Sequence, residues 1–343
     1  MFILLGIEKN ILKLNFNKIM IPITIVNFIF YYLASIFSNF KFKIGFSLLF
    51  ILSTIVLRLV VNNSQLPDYD SYYSIIGIIE PEFSFKILFT EPYYFQLVNY
   101  FNKTYSSETS INFFYTINYL ISTTFFVWLL FVNKVSPWKK VLLFSLYYYV
   151  FAFILLRNTI SYIMIAILYY RLNYNKINKT SFLAFFSHLS SLPVLGSSLF
   201  RNKKGDLKLI VSGICYVLFF SILIRLEAFN VYEKFSAYQE SKDYGVSFFH
   251  KFYFYFFLIV NVFLFIYKRK MVFNYTYLPI FLTYILLQYA NAVMGYRFSI
   301  YLMLYLLLFI NDVKEDIYIN TKLNLISFFF IFLMLFNLKS IFP

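Results

Sequence analysis

The chain has 343 residues, 61% of them hydrophobic and 13% charged, with a mean hydropathy of +0.71. A soluble domain of this length does not carry that much apolar surface, so apolar runs of roughly 17 to 25 residues mean membrane-spanning helices. The net charge of +15 would suggest nucleic acid in a soluble protein but reads here as loop charge, and the single Cys215 excludes an intrachain disulfide and a cysteine-based zinc site.

The pattern predicts an all-α, polytopic membrane helix bundle of about 10 to 12 transmembrane helices with long extracytoplasmic loops, in one transmembrane domain over residues 1–343. Residues 1–20, with Lys9, Lys13 and Lys18 interrupting the apolar run, read as an interfacial helix rather than a cleavable signal. Spans follow at Ile21–Phe37, Ile44–Val61, Ile111–Val132, Val141–Leu156, Thr159–Leu172, Leu207–Ile224, Phe252–Tyr267, Tyr277–Val293, Phe298–Ile310 and Leu323–Leu338. A single helix over residues 141–172 would be about 48 Å long, beyond a hydrocarbon core of about 30 Å, so the chain has to turn near Arg157 and Asn158. Residues 181–200 either cross once or form a re-entrant hairpin with His188 and its serines near the apex.

Loop charge sets the orientation. With 181–200 re-entrant, the side receiving FKFK, NKVSPWKK, RLNYNKINK, RNKKGDLK, YKRK and NDVKEDIYINTK holds 17 of the 30 Lys and Arg but 4 of the 15 acidic residues, which makes it cytoplasmic. The loops 62–110 and 225–250 then face outward. They carry Asp68, Asp70, Glu91 and further carboxylates among tyrosines. Acceptors for hydroxyls beside aromatic faces suit sugar binding; the plain alternative is a solvated polar loop.

Arginine is scarce, 7 against 23 lysines, yet Arg58, Arg157, Arg225 and Arg297 lie inside or at the ends of apolar segments. Burying one costs ~2.5–3.5 kcal/mol at the bilayer centre on insertion scales, and less where it snorkels. These four are candidate ligands for an anionic group such as a lipid pyrophosphate, since lysine lacks the bidentate fork; the alternative for each is an interface anchor. His188 is one of two histidines, His250 being the other. It is either a structural residue or a group that orients or deprotonates a hydroxyl. Asp68 and Asp70 are candidates for a general base, a sugar anchor or a divalent-cation site. HExxH, P-loop and GxGxxG sequences do not occur, which argues against nucleotide-driven chemistry.

Four elements in order resemble the EpsG/Wzy family of bacterial polysaccharide polymerases. These are Asp68-Tyr69-Asp70-Ser71-Tyr72, Glu91-Pro92-Tyr93-Tyr94, Arg157-Asn158-x-x-Ser161 followed by Lys176 and Lys179, and His188-x-Ser190-Ser191. Asn158, Ser161 and Ser187 stand where the family pattern has Gln, Ala and Phe. The resemblance implies a membrane glycosyltransferase, multi-pass in the bacterial inner (cytoplasmic) membrane, that joins undecaprenyl-pyrophosphate-linked oligosaccharide units into O-antigen, capsule or exopolysaccharide, the polymer of a lipopolysaccharide among them. It implies catalytic roles for His188, Asp68 and Asp70 and substrate binding by Arg157, Arg297, Arg58, Arg225, Glu91, Tyr72 and Tyr94. It calls for no cofactor and no metal, and for a flippase and a chain-length regulator as partners beside the lipid bilayer, with no nucleic acid. The rival classes are a lipid-linked oligosaccharide flippase or transporter, which should show two similar halves around a charged cavity, and another membrane glycosyl- or acyltransferase.

The charge split makes a topology prediction. Reporter fusions after Lys103 and Lys242 should report outside, and fusions after Lys140, Lys204 and Lys270 inside. A cytoplasmic signal at Lys242 would place the polar loops, and the chemistry assigned to them, on the wrong face.

Overall fold

The computed structural model describes residues 2–66, 69–76, 92–172, 174, 179–199, 248–267, 276–290, 292–309 and 317–341. Every regular element among them is helical. The span Leu207–Ile224, most of the loop 225–250, and the site candidates Asp68, Glu91 and Arg225 lie outside the described residues. The coordinates fall into two compact units, one of Met1–Pro81, Tyr94–Thr159 and Asn311–Pro343, the other of Glu82–Tyr93 and Ile160–Ile310.

The first unit is built from α1 (Phe2–Ile36), α2 (Phe40–Val60), α3 (Tyr69–Ile76), α4 (Pro92–Asn102), α5 (Ser107–Phe131), α6 (Pro137–Phe153), α13 (Ile317–Ile326) and α14 (Phe330–Ile341). α1 runs unbroken through Pro22, so the interfacial stretch and the first span form one helix. The expected first outer loop is itself partly helical, as α3 and α4. Ile19–Ile36, α2, α5 and Thr321–Leu338 are each long and apolar enough to cross a membrane.

α2 shows how the sequence sorts its faces. Leu48, Leu52, Ile55 and Leu59, spaced as one helical stripe, are exposed, Leu59 by 81%. Ser47, Phe50, Thr54 and Leu57 form the buried stripe. The apolar face points outward and the small hydroxyl residues inward, as bilayer helices require: lipid accepts Leu and Ile, while Ser and Thr let neighbouring backbones approach. The buried hydroxyls are satisfied within the helix, Ser47 donating to Lys43 O, Ser53 to Phe50 O and Thr54 to Ile51 O.

α6 has no such outward face. Lys139 to Val141 and Leu143 to Phe153 are all buried, and the helix packs against α1, α5, α13 and α14. A helix that is apolar all round belongs in the middle of a bundle. Its Phe144 stacks on Tyr31 at 4.2 Å and on Tyr148 at 4.8 Å, while Phe50 and Phe126 meet it edge-on at 5.6 and 5.7 Å. One aromatic residue from each of α1, α2 and α5 thus converges on two from α6. The polar ends of α6 are matched across helices. Asn324 Oδ1 accepts from the Trp138 amide in its first turn. Lys140 Nζ donates to Leu130 O and Val132 O, the outgoing carbonyls of α5. Asn337 donates to Ser145 O and Leu146 O from α14.

α6 stops at Phe153 and α7 (Leu156–Leu172) starts after a gap of two residues. The turn expected at Arg157 therefore lies slightly upstream, and Arg157 sits in the first turn of α7. Both Ile154 N and Leu155 N go to Val150 O, so the ladder slips. Phe151 O loses its usual donor and takes the Thr159 hydroxyl at 2.8 Å, which also reaches Leu155 O at 2.9 Å. Ile154 O is met by the Tyr72 hydroxyl at 3.4 Å. Carbonyls in a packed interior need donors, so these two side chains help to permit the break.

The second unit holds the rest of α7, the short α8 (Ala184–Ser187), α9 (Leu192–Leu199), α10 (Phe248–Tyr267), α11 (Tyr277–Ala290) and α12 (Ala292–Leu308). Within it α11 packs on α12 and on α9, and α10 on α12. The exposed stripe of α10 is apolar, with Ile259, Val262, Phe263 and Ile266, and its buried Asn261 donates to Phe257 O and accepts from Tyr277.

Because Thr159 replaces a lost backbone bond, Thr159→Val should destabilise the detergent-solubilised protein by about 1–3 kcal/mol, seen as a lower thermal midpoint, whereas Thr159→Ser should hold. An unchanged midpoint in the valine variant would mean that the break is satisfied some other way.

Candidate functional site

Three of the four sequence elements meet in the first unit. α3 delivers Tyr72 and α4 delivers Tyr94, both buried, and the Arg157 guanidinium lies 5.4 Å from the Tyr72 ring centre and 6.0 Å from that of Tyr94. The two rings are 5.4 Å apart, and Phe114 of α5 packs edge-on against both, at 6.0 and 4.9 Å. The Tyr94 hydroxyl donates to Tyr72 O at 2.9 Å, which fastens α4 to α3. Arg157 is half-buried and Asn158 beside it is buried. Ring faces attract a guanidinium through their quadrupole and hold it in place without neutralising its charge. On the same α3, Asp70 and Tyr73 are exposed, with Asp70 in the helix's first turn where its charge favours the positive helix end.

The fourth element lies in the second unit. Residues 179–199 do not form one helix: a 3-10 turn over Lys179–Leu183 runs into α8, His188 is extended (φ −158°, ψ 132°), and a second 3-10 turn, Leu189–Ser191, leads into α9. The segment is broken at His188 and does not run as one straight helix. The His188 ring caps the turn that follows it. The Ser190 amide donates to Nδ1 at 3.1 Å, and Nδ1 and Ser190 Oγ are 2.6 Å apart. Ser191 Oγ donates to His188 O at 2.9 Å. From Ser190 Oγ the contacts continue to the Tyr301 hydroxyl at 3.1 Å and from there to Ser161 Oγ at 2.7 Å. Tyr301 belongs to α12, four residues after Arg297, hence on the same face one turn along. Tyr162 packs tilted against Tyr301 at 4.8 Å and donates to Arg297 O at 3.0 Å. His188 and the Arg297 turn are therefore fixed by one pair of residues from α7, Ser161 and Tyr162.

Arg297 lies in the second turn of α12, and α12 can approach α11 because residue 295 is glycine. A Cβ there would stand 2.7 Å from Gln288 Cα and would also overlap the Gln288 side chain. Arg58 is bonded within the protein. Its Nη1 donates to Val61 O at 3.3 Å and its Nη2 to Thr116 Oγ1 at 3.0 Å, so it closes the end of α2 and ties it to α5, beside the Asn63–Asn112 bond.

A family model, that of the EpsG family, matches residues 43–342. The chain belongs to the EpsG family. No curated protein and no solved structure matches it. Membership covers nearly the whole chain and makes it a multi-pass membrane protein of polysaccharide biosynthesis, a glycosyltransferase-like polymerase in the general sense. The EpsG match contains all four sequence elements. Sequence reasoning missed Tyr301, one tyrosine among 33; its only signal was its place one helical turn after Arg297.

The tight approach at Gly295 carries a prediction. Gly295→Ala should cost about 1–3 kcal/mol by forcing α12 from α11, with reduced stability and reduced activity together. Gly45→Ala, where a Cβ meets nothing within 4 Å, is the control and should leave both intact. Equal behaviour of the two variants would contradict the packing.

Proposed function

We propose that this EpsG-family protein joins undecaprenyl-pyrophosphate-linked oligosaccharide repeat units into O-antigen, capsule or exopolysaccharide at the outer face of the bacterial cytoplasmic membrane. The observation that carries the reading is the convergence of Tyr72, Tyr94 and Arg157, from three separate sequence elements, into one aromatic-backed cation. In the reaction an acceptor sugar hydroxyl oxygen bonds to the donor's anomeric carbon. The bond from that carbon to the pyrophosphate oxygen breaks, and the lipid pyrophosphate leaves with the electron pair. The hydroxyl proton passes to a base, for which the residues of this chain offer Asp68, Asp70 and His188. Arg157 would stabilise the charge that builds on the leaving pyrophosphate, with Arg297 a second candidate for that role by its place in the sequence, and the role needs neither a nucleotide nor a metal. Asp70 and the exposed Tyr73 on α3, with Asp68, Glu91 and the outer-loop tyrosines, would hold sugar hydroxyls and ring faces. Arg225 and Arg58 stay candidates from their places in the sequence, two of the Arg58 nitrogens being bonded to Val61 O and Thr116 Oγ1.

Charge and geometry separate the reading from its alternative. If Arg157 binds pyrophosphate, Arg157→Lys keeps the charge but loses the fork, so polymer ladders from cells at matched membrane expression should shorten almost as severely as with Arg157→Ala. Full-length ladders from the lysine variant would leave Arg157 as a snorkelling anchor.

A further inference from the structure

We propose that His188 works as a hydrogen-bond donor through Nε2 and not as the base of the reaction, and that Ser190, Tyr301 and Ser161 are positioning residues that hold it in that state. The inference rests on the polymerase reading and narrows it. Its starting point is a hydrogen whose position is not open to choice. A backbone amide always donates, and the Ser190 amide points at His188 Nδ1 from 3.1 Å. A hydrogen on Nδ1 would face that amide hydrogen, so Nδ1 is an acceptor, and the neutral ring carries its proton on Nε2.

The rest of the row then follows by counting hydrogens. Ser190 Oγ, 2.6 Å from Nδ1, has to donate its one hydrogen to the ring. Having spent it, Ser190 Oγ accepts from the Tyr301 hydroxyl at 3.1 Å. Tyr301, having spent its own, accepts from Ser161 Oγ at 2.7 Å. Four groups therefore have one consistent direction, from Ser161 to Tyr301 to Ser190 to Nδ1, and each donation polarises the next. In this tautomer the one lone pair of the ring is on Nδ1, where it is already engaged by an amide and a hydroxyl. A proton taken up there would make the ring a cation facing two donor hydrogens, which is the wrong environment for a base. Donating from Nε2 to a substrate oxygen, of sugar or pyrophosphate, keeps every bond in the row. The acceptor's proton then goes to a carboxylate, with Asp68 and Asp70 the candidates of this chain.

The test uses the full-length protein in lipid nanodiscs with 15N-labelled histidine, and His250→Gln to assign the two rings. The expected spectrum shows His188 with Nδ1 unprotonated and Nε2 protonated, and its Nδ1 resonance shifts in Ser190→Ala and in Tyr301→Phe. A protonated Nδ1 in the parent protein overturns the inference while leaving the polymerase reading untouched, and an unshifted Nδ1 in Tyr301→Phe removes Tyr301 from the row. The companion assay compares ladders from His188→Gln and His188→Ala at matched expression. The glutamine amide presents an N–H near the position of Nε2 but cannot take up a proton, so it should retain polymer that alanine loses. If both variants fall alike by about 10²-fold or more, as loss of a general base predicts, His188 is the base. Absence of any polymerising activity in the parent protein would count against the proposed function, not against the hydrogen assignment.

Discussion

The first unit depends on how the backbone break between α6 and α7 is made tolerable. A break between two buried helices leaves carbonyls that need donors, and here those of Phe151 and Ile154 are taken by the hydroxyls of Thr159 and Tyr72. The same Tyr72 ring lies beneath the Arg157 guanidinium. Structural repair and charge placement thus share one side chain: the residue that closes the break also positions the cation that follows it.

The second unit uses polar bonds differently. The His188 ring is oriented through Nδ1 by an amide and a row of hydroxyls. Neutral donors fix orientation at small electrostatic cost in a low-dielectric setting, where each satisfied bond is worth more and each missing one costs more. The row also ties three stretches of chain distant in sequence, residues 161–162, 188–191 and 297–301, so that a shift in one is felt by the others.

Much of this was legible in the sequence, for identifiable reasons. The turn near Arg157 followed from length alone, because residues 141–172 could not cross as one helix; its true place at Ile154 and Leu155 depends on a hydroxyl at Thr159 that no hydropathy argument weighs. His188 stood out because histidine is rare here. Tyr301 did not, because tyrosine is common, and its value comes from where α12 carries it. Arg58 shows the limit of the cost argument: an arginine in an apolar segment needs acceptors, and hydropathy does not say that Val61 O and Thr116 Oγ1 take two of its nitrogens while Nε is left without one. Tyr72 and Tyr94 entered through their family pattern, and the fold gave them a physical reason.

The burial of α6 bears on when the protein can be finished. Its covering partners include α1 and α14, which lie near opposite ends of the chain, and most of the second unit, Ile160–Ile310, is threaded between. A ribosome delivers segments in order, so Asn337 reaches the carbonyls of Ser145 and Leu146 only after that entire insertion has been made. Until then α6 lacks the flank that α13 and α14 cover. The central helix of the first unit is synthesised before the insertion and fully enclosed only after it, so its assembly is governed by a contact of long sequence separation, the kind that slows folding and favours intermediates.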